Sequence, residues 1–371
     1  MSDQGARLRI GIVGCGDVAH RHYLPGLASM ADEAEITAVA DPRPGAPEAL
    51  AAAVGTWSPN AHAYEDVGQM LGREQLDGVF DLTPAPLHGR VNRAILEAGF
   101  ACYSEKPIAA TVAEASALIE LAAARNVLLM CAPGTAVTSR FRWLKSMVGS
   151  GDYGRPTLAV AHHADAGPAA WSEYTGDPTP FYREGVGPVF DHGVYRLHEM
   201  TYVLGPVRRV QAMGSIALPR RRVRGGPLKG RTIEVTTPDH VLIHLEFTNG
   251  ALGQLLASFG TLDTLAPWLE LHLERGVVTF GGKSWEMDAP VSVYRDDPDD
   301  ADGSGSWTHG VSVRADDFNT VAAGARHFLA CLLGRETPAL TAEHARHVLD
   351  VILKAYASIA DGAAHDTETT F

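Results

Sequence analysis

Leu8-Arg9-Ile10-Gly11-Ile12-Val13-Gly14-Cys15-Gly16-Asp17-Val18-Ala19 is the stretch on which the fold turns. Residues 8–13 read as a short buried strand, with little alternation and β-branched residues in its second half. Gly14 and Gly16 allow a tight turn and let the backbone come close to a pyrophosphate. Ala19 is small enough for the next helix to lie against the strand, and that helix start, with Asp17 and Val18, offers N–H groups to phosphates. A second strand at 35–40 ends in Asp41, about 25 residues after Gly16, where a carboxylate accepts from the adenosine ribose hydroxyls. Strand, glycine turn, helix, strand and acid in this order predict a dinucleotide site. Asp41 favours NAD, because a carboxylate repels a 2′-phosphate. Arg43, two residues on, is placed to hold that phosphate instead, which keeps NADP as the alternative.

The pattern continues as alternating strand and helix: helices at 47–54, 66–71, 87–98 and 112–125, strands at 78–82, 100–104 and 127–131. Such a βαβ succession predicts a parallel, doubly wound sheet over residues 1–131, with ligands at the carboxyl ends of its strands. Residues 132–371 read differently. Strands at 157–163, 208–217, 240–247, 251–259, 268–273 and 277–280, some joined by turns such as Asn249-Gly250 and Arg275-Gly276, predict a mainly antiparallel sheet. Few helices interrupt it: one at 194–204 and a closing one at 341–360. The segment 297–307, rich in Asp, Gly and Ser, reads as a surface loop.

The chain has 371 residues, 46% hydrophobic and 20% charged, enough for two domains with their own cores. A net charge of −13 argues against nucleic acid as a partner. The one basic cluster, Arg220, Arg221, Arg222, Arg224, Lys229 and Arg231, reads as a solvated or oligomer-facing loop. Cys15, Cys102, Cys131 and Cys331 lack metal or CxxC spacing and read as reduced thiols of a cytoplasmic protein. No metal site is expected. The chain does not open on a signal-peptide pattern and no apolar run reaches about 18 residues, so no membrane association is expected.

Three motifs carry chemistry. Thr83-Pro84-Ala85-Pro86-Leu87-His88 follows the strand ending at Leu82. Glu105-Lys106-Pro107 follows the 100–104 strand. Asp191-His192-Gly193-Val194-Tyr195 opens the later helix. Pro107 biases Lys106 towards extended backbone, and an ammonium at a strand end stabilises developing oxyanion character during hydride transfer. Glu105 is placed to position it. Tyr195 is a candidate proton donor to a carbonyl, a role for which phenols suit where a cation lies near. Asp191, four residues earlier, shares a helical face with it. His198, three residues after Tyr195, reads equally as a second proton carrier or substrate ligand and as a buried structural histidine.

Together, GCGDVA, TPAPLH, SEKP and DHGVY at these separations resemble the Gfo/Idh/MocA oxidoreductases, the group that includes glucose–fructose oxidoreductase and the inositol dehydrogenases. The resemblance spans essentially the whole chain. It implies an α/β fold, an N-terminal Rossmann domain followed by an α/β domain with a large, open, mainly antiparallel sheet that packs against another subunit, giving a homodimer or homotetramer. It implies hydride transfer between NAD(H) or NADP(H) and a carbinol of a sugar or cyclitol. Lys106 falls on the catalytic lysine, Asp191 on the helix aspartate and Tyr195 on the acid/base position. His198 departs from the frequent Asp or Asn. His22 and His88 match histidines near the phosphates and the nicotinamide, and with Thr83, Pro84 and Glu105 complete the cofactor set. Substrate recognition is expected from the 161–182 segment, including His162, His163, Trp171 and Tyr174, with Arg183, His192 and His198. A glycoside-cleaving enzyme working through transient oxidation, and a non-catalytic NAD(P)-binding sensor, are the competing readings.

Overall fold

In the computed structural model, residues 7–172, 174, 176–282, 289–296, 305–314, 316 and 319–371 are described. The chain divides into two compact units, one of residues 1–138 and 317–349, the other of residues 139–316 and 350–371.

The first unit is built on six parallel strands: β1 (Leu8–Val13), β2 (Ala34–Ala40), β3 (His62–Tyr64), β4 (Gly78–Asp81), β5 (Ala101–Ser104) and β6 (Leu129–Cys131), in the order β3-β2-β1-β4-β5-β6. This is the doubly wound dinucleotide-binding order, with its reversal point between β1 and β4. Register does the positioning. Val13 pairs with Ala40 and Asp81, and Asp81 with Ser104. The turns that begin at Gly14, Asp41, Leu82 and Glu105 therefore leave the sheet at one level.

Local chemistry explains the elements. The Val112–Arg125 helix starts where the Thr111 hydroxyl accepts from the Glu114 N–H, and ends at Asn126 in a left-handed conformation with φ 53°. The Val67–Arg73 helix is capped by Asp66. A helix not foreseen in the sequence, Thr320–Leu332, is capped by Asn319 and packs its Phe328 against Phe80 and Tyr103, at ring separations of 5.4 and 5.6 Å. Tyr23 completes this aromatic cluster at 5.8 Å from Phe80. Each such ring, fully buried, makes truncation costly, about 3–5 kcal/mol for Phe to Ala.

The second unit holds a nine-stranded sheet. Its strands are β7 (Pro156–Ala164), β8 (Val207–Ser215), β11 (His240–Phe247), β12 (Leu252–Ser258), β13 (Leu269–Leu273), β14 (Gly276–Phe280), β15 (Val291–Arg295), β16 (Ser306–His309) and β17 (His365–Asp366). They run in the order β16-β15-β14-β13-β7-β12-β11-β8-β17. All pairings are antiparallel except β12 with β7. In β11, Val241, Ile243, Leu245 and Phe247 are buried while Leu242 and His244 face outward, the alternation of a half-covered sheet.

Three sequence expectations need amending. Of the 297–307 loop, 297–304 lies outside the described residues, but Ser306 and Trp307 belong to β16, which the pairing with β15 stabilises despite four exposed side chains. The basic segment is not a plain loop: β9 (Arg220–Arg222) and β10 (Thr232–Glu234) form a hairpin. It is pinned by Arg221, whose guanidinium donates to the carbonyls of Phe259 and Ala166. Finally, a helix at Ser139–Ser150 precedes β7.

Candidate active site

In the first unit, Gly14 has φ +96°, and a Cβ there would lie 2.6 Å from the Leu82 carbonyl. Only glycine fits, which is what packs the first turn against the β4 end. At Gly16 the nearest group to such a Cβ is Arg43 at 3.9 Å, so the backbone is open to a ligand there. Ala19 is buried, and the chain from Ala19 to Tyr23 makes a π-helical turn before the Leu24–Ala28 helix. Such turns recur at functional sites. Asp17 pairs with Arg21, and Val18 is exposed. Burial and the neighbouring Arg21 push the His22 ring below its usual value.

Asp41 accepts from the Cys15 N–H at 2.8 Å and from the Arg43 Nε and Nη2 at 2.9 and 2.8 Å. Burial acts to raise this carboxyl, but those hydrogen bonds prevail and hold it below the usual carboxylate range. The open glycine turn followed by a strand-end carboxylate fits an adenine dinucleotide: Gly14, Gly16 and the Ala19 turn would hold its pyrophosphate, and Asp41 its ribose.

Thr83 is fastened by donating its N–H and hydroxyl to Asp81 Oδ1 at 3.0 and 2.6 Å, with Pro84 exposed beside it. The buried His88 ring lies against the carbonyls of Thr83 and Pro107. Glu105 accepts from the Tyr23 hydroxyl at 2.7 Å and from the Lys106 N–H at 2.9 Å. Lys106 itself is half-buried.

In the second unit, Asp191, His192 and Gly193 sit in another π-helical turn (Val189–Gly193), directly before the Val194–Leu204 helix that starts the run to Tyr195 and His198. The α-helical i, i+4 relation expected for Asp191 and Tyr195 is thus replaced by a wider turn. The two are linked instead through imidazoles. His192 lies 3.4 Å from Asp191 and 3.8 Å from Asp165, and stacks on His163 with ring centres 4.1 Å apart. Tyr195 is the next ring, 6.1 Å from His163, and Trp171 stacks on the other side of His192 at 5.5 Å. His163 and His192 are buried, whereas Tyr195 is half-buried at the edge of the row.

His198 is buried on the same helix. His162, on the opposite face of β7 from His163, is pushed down by burial and by Arg196. Arg183 is exposed. Beneath the row, Arg196 and Glu199 form a fully buried ion pair at 2.7 Å, with the guanidinium over Trp268. Among the described residues, no group of three or more His, Cys, Asp or Glu side chains has metal-holding geometry, and no helix is long and apolar enough to cross a membrane.

Residues 8–132 match the oxidoreductase family with the NAD-binding Rossmann fold, and residues 141–279 match the GFO/IDH/MocA C-terminal domain. The chain belongs to the GFO/IDH/MocA family. Among curated relatives, the dTDP-3,4-didehydro-2,6-dideoxy-alpha-D-glucose 3-reductase of Streptomyces antibioticus is 28% identical over 72% of this chain and 80% of its own length. The Streptomyces violaceoruber enzyme of the same name is 30% identical, but the match spans only 62% of its length. Of solved structures, levoglucosan dehydrogenase in complex with NADH superposes with a TM-score of 0.80 at 20% identity, covering 98% of this chain and 100% of that one. As a GFO/IDH/MocA protein the chain is an NAD(P)-dependent sugar or cyclitol oxidoreductase, built on an NAD-binding Rossmann domain.

His163 is the member of the aromatic row that the sequence placed only within a broad recognition segment. A signal was present: along β7 it keeps parity with Ala159 and Ala161, which are buried. Asp165 and Asp81 were missed outright, since an acid at a strand end carries no mark of its partner.

Proposed function

We propose that this GFO/IDH/MocA enzyme oxidises or reduces a secondary or anomeric carbinol carbon of a polyhydroxylated substrate, with Tyr195 as acid/base and Lys106 supplying positive charge. Bound NAD(H) supplies or takes up the hydride. Gly14, Gly16 and Ala19 hold the pyrophosphate, Asp41 the ribose. In reduction, Tyr195 gives its phenolic proton to the forming alkoxide. In oxidation, its phenolate takes the carbinol proton. Lys106 stabilises negative charge on the same oxygen. Asp191, tied to Tyr195 through His192 and His163, orients that end of the substrate, and Trp171 offers the flat apolar face on which sugar rings stack.

The observation that carries this reading is Tyr195 itself. It is half-buried at the end of a row whose two imidazoles are buried and whose neighbours include a carboxylate. We further propose NAD as the preferred cofactor and a homodimer or homotetramer as the working assembly.

A panel of free sugars, cyclitols, glycosides and nucleoside-diphosphate keto-sugars, followed by nicotinamide absorbance and aglycone release together, tests the reading. Net turnover of nicotinamide supports it. Release of aglycone without net change in nicotinamide would assign the glycoside-cleaving reaction instead. Silence across the panel with intact NADH binding would point to a sensor.

A further inference from the structure

The turn that carries Lys106 is held from outside at several points. The Glu105 N–H donates to the Asp81 carbonyl at 2.8 Å, and Tyr23 donates to the Glu105 carboxylate. Asn92 Nδ2 donates to the Ile108 carbonyl at 3.1 Å. A further point is His88, whose Nδ1 lies 2.6 Å from the Pro107 carbonyl while its Nε2 lies 2.7 Å from the Thr83 carbonyl.

Carbonyl oxygens only accept hydrogen bonds. A ring with one N–H would therefore press a bare nitrogen lone pair against a carbonyl lone pair at hydrogen-bond distance. A ring carrying both N–H groups satisfies both contacts, and charge-assisted bonds of this kind are short. His88 is 1% exposed, so such a cation needs an opposite charge close by. Asp81, itself 0% exposed at the end of β4, couples electrostatically to His88. Its Oδ1 takes both Thr83 donors and its Oδ2 has no hydrogen-bond partner. Burial raises the Asp81 carboxyl, and His88 is foremost among the groups opposing that rise.

We infer that His88 is a positioning residue: a doubly protonated ring, balanced by Asp81, that ties the Thr83 turn to Pro107 and so fixes the backbone from which Lys106 projects. The importance of that placement rests on the catalytic reading of Lys106, but the arrangement itself is testable without substrate or cofactor.

The experiment uses the full chain labelled with 15N-histidine at neutral pH. His88 should give two ring N–H correlations, slow to exchange because the ring is buried, and both should vanish in His88→Phe. A single N–H correlation would overturn the doubly protonated ring. In the same pair of proteins, lysines are reductively methylated with 13C and the Lys106 signal is assigned from Lys106→Arg. His88→Phe should shift that signal and leave those of Lys145, Lys229 and Lys354 in place. An unmoved Lys106 signal would overturn the positioning role. Should His88→Phe fail to fold, His88→Gln, which offers only one nitrogen to the two carbonyls, is read by the same two outcomes. A sugar panel without turnover leaves both readouts unaffected, so the two proposals fail separately.

Discussion

Asp41 grips Arg43 at two points, with Nε and Nη2 of the guanidinium donating to Oδ1 and Oδ2 at 2.9 and 2.8 Å. The two residues that argue for opposite cofactors are thus bound to each other. The Asp41 carboxylate is 6% exposed and the Arg43 side chain 64%, so the acid is the buried partner and the arginine the one open to solvent. A ribose with free hydroxyls needs only the carboxylate. A 2′-phosphate would have to draw Arg43 away and sit beside Asp41. Titration calorimetry should give NAD(H) at least as tight as NADP(H), and Asp41→Ala should shift the preference towards NADP(H). A clear wild-type preference for NADPH would contradict this.

Acid stability follows from the same carboxylate. Its folded value lies below the ordinary 3.8, because hydrogen bonds from Arg43 and Cys15 outweigh burial. Such a group stabilises the fold above about pH 4, and that contribution is lost as pH falls through the lowered folded value. The fall in urea midpoint on acidification should be shallower in Asp41→Asn than in the wild type. Equal falls would count against the pairing.

Three thiols should be inert. Burial, reinforced by Asp41, pushes Cys15 up to about 12, and burial raises Cys102 and Cys131 as well. Thiolate is the reactive form. Iodoacetamide at neutral pH, followed by peptide mass mapping, should leave all three unmodified in the native protein. Rapid labelling of Cys15 would contradict its burial within the glycine turn.

Much of this was legible because local signals and tertiary demands coincide. The helix at Val112–Arg125 has its cap at Thr111 and its stop at Asn126, and β11 alternates strictly. The Thr320–Leu332 helix was not read, although Asn319 caps it, because Gly324 interrupts its run of alanines and lowers the helix propensity of the segment. Strands β3 and β16 bury almost nothing and exist through pairing with a neighbour, which no single segment records. Motifs singled out Lys106, Asp191 and Tyr195 as candidates. They gave no warning of the π-helical turns at Ala19–Tyr23 and Val189–Gly193, which depend on i→i+5 bonds rather than on residue type.

Assembly can be tested on the outward face of the large sheet. Met213, Leu242 and Leu256 lie in register across β8, β11 and β12, with Met213 73% and Leu242 40% exposed. Contiguous apolar side chains on a solvated face mark an interaction surface. Light scattering at micromolar concentration should give a dimer or larger, and Met213→Glu with Leu242→Glu should reduce the mass. A wild-type monomer would contradict the prediction.

The central claim is that Tyr195 carries the proton and Lys106 the charge, and steady-state kinetics on the best panel substrate, paired with NADH binding, tests it most directly. Tyr195→Phe should lower kcat about 10²–10⁴-fold, the range for loss of a general acid or base, with NADH affinity nearly unchanged. Lys106→Ala should cost at least as much and also weaken substrate or nicotinamide binding, because its charge acts in ground and transition states alike. Near-wild-type turnover in Tyr195→Phe, with activity abolished in His198→Ala, would assign the proton to His198 and contradict the account.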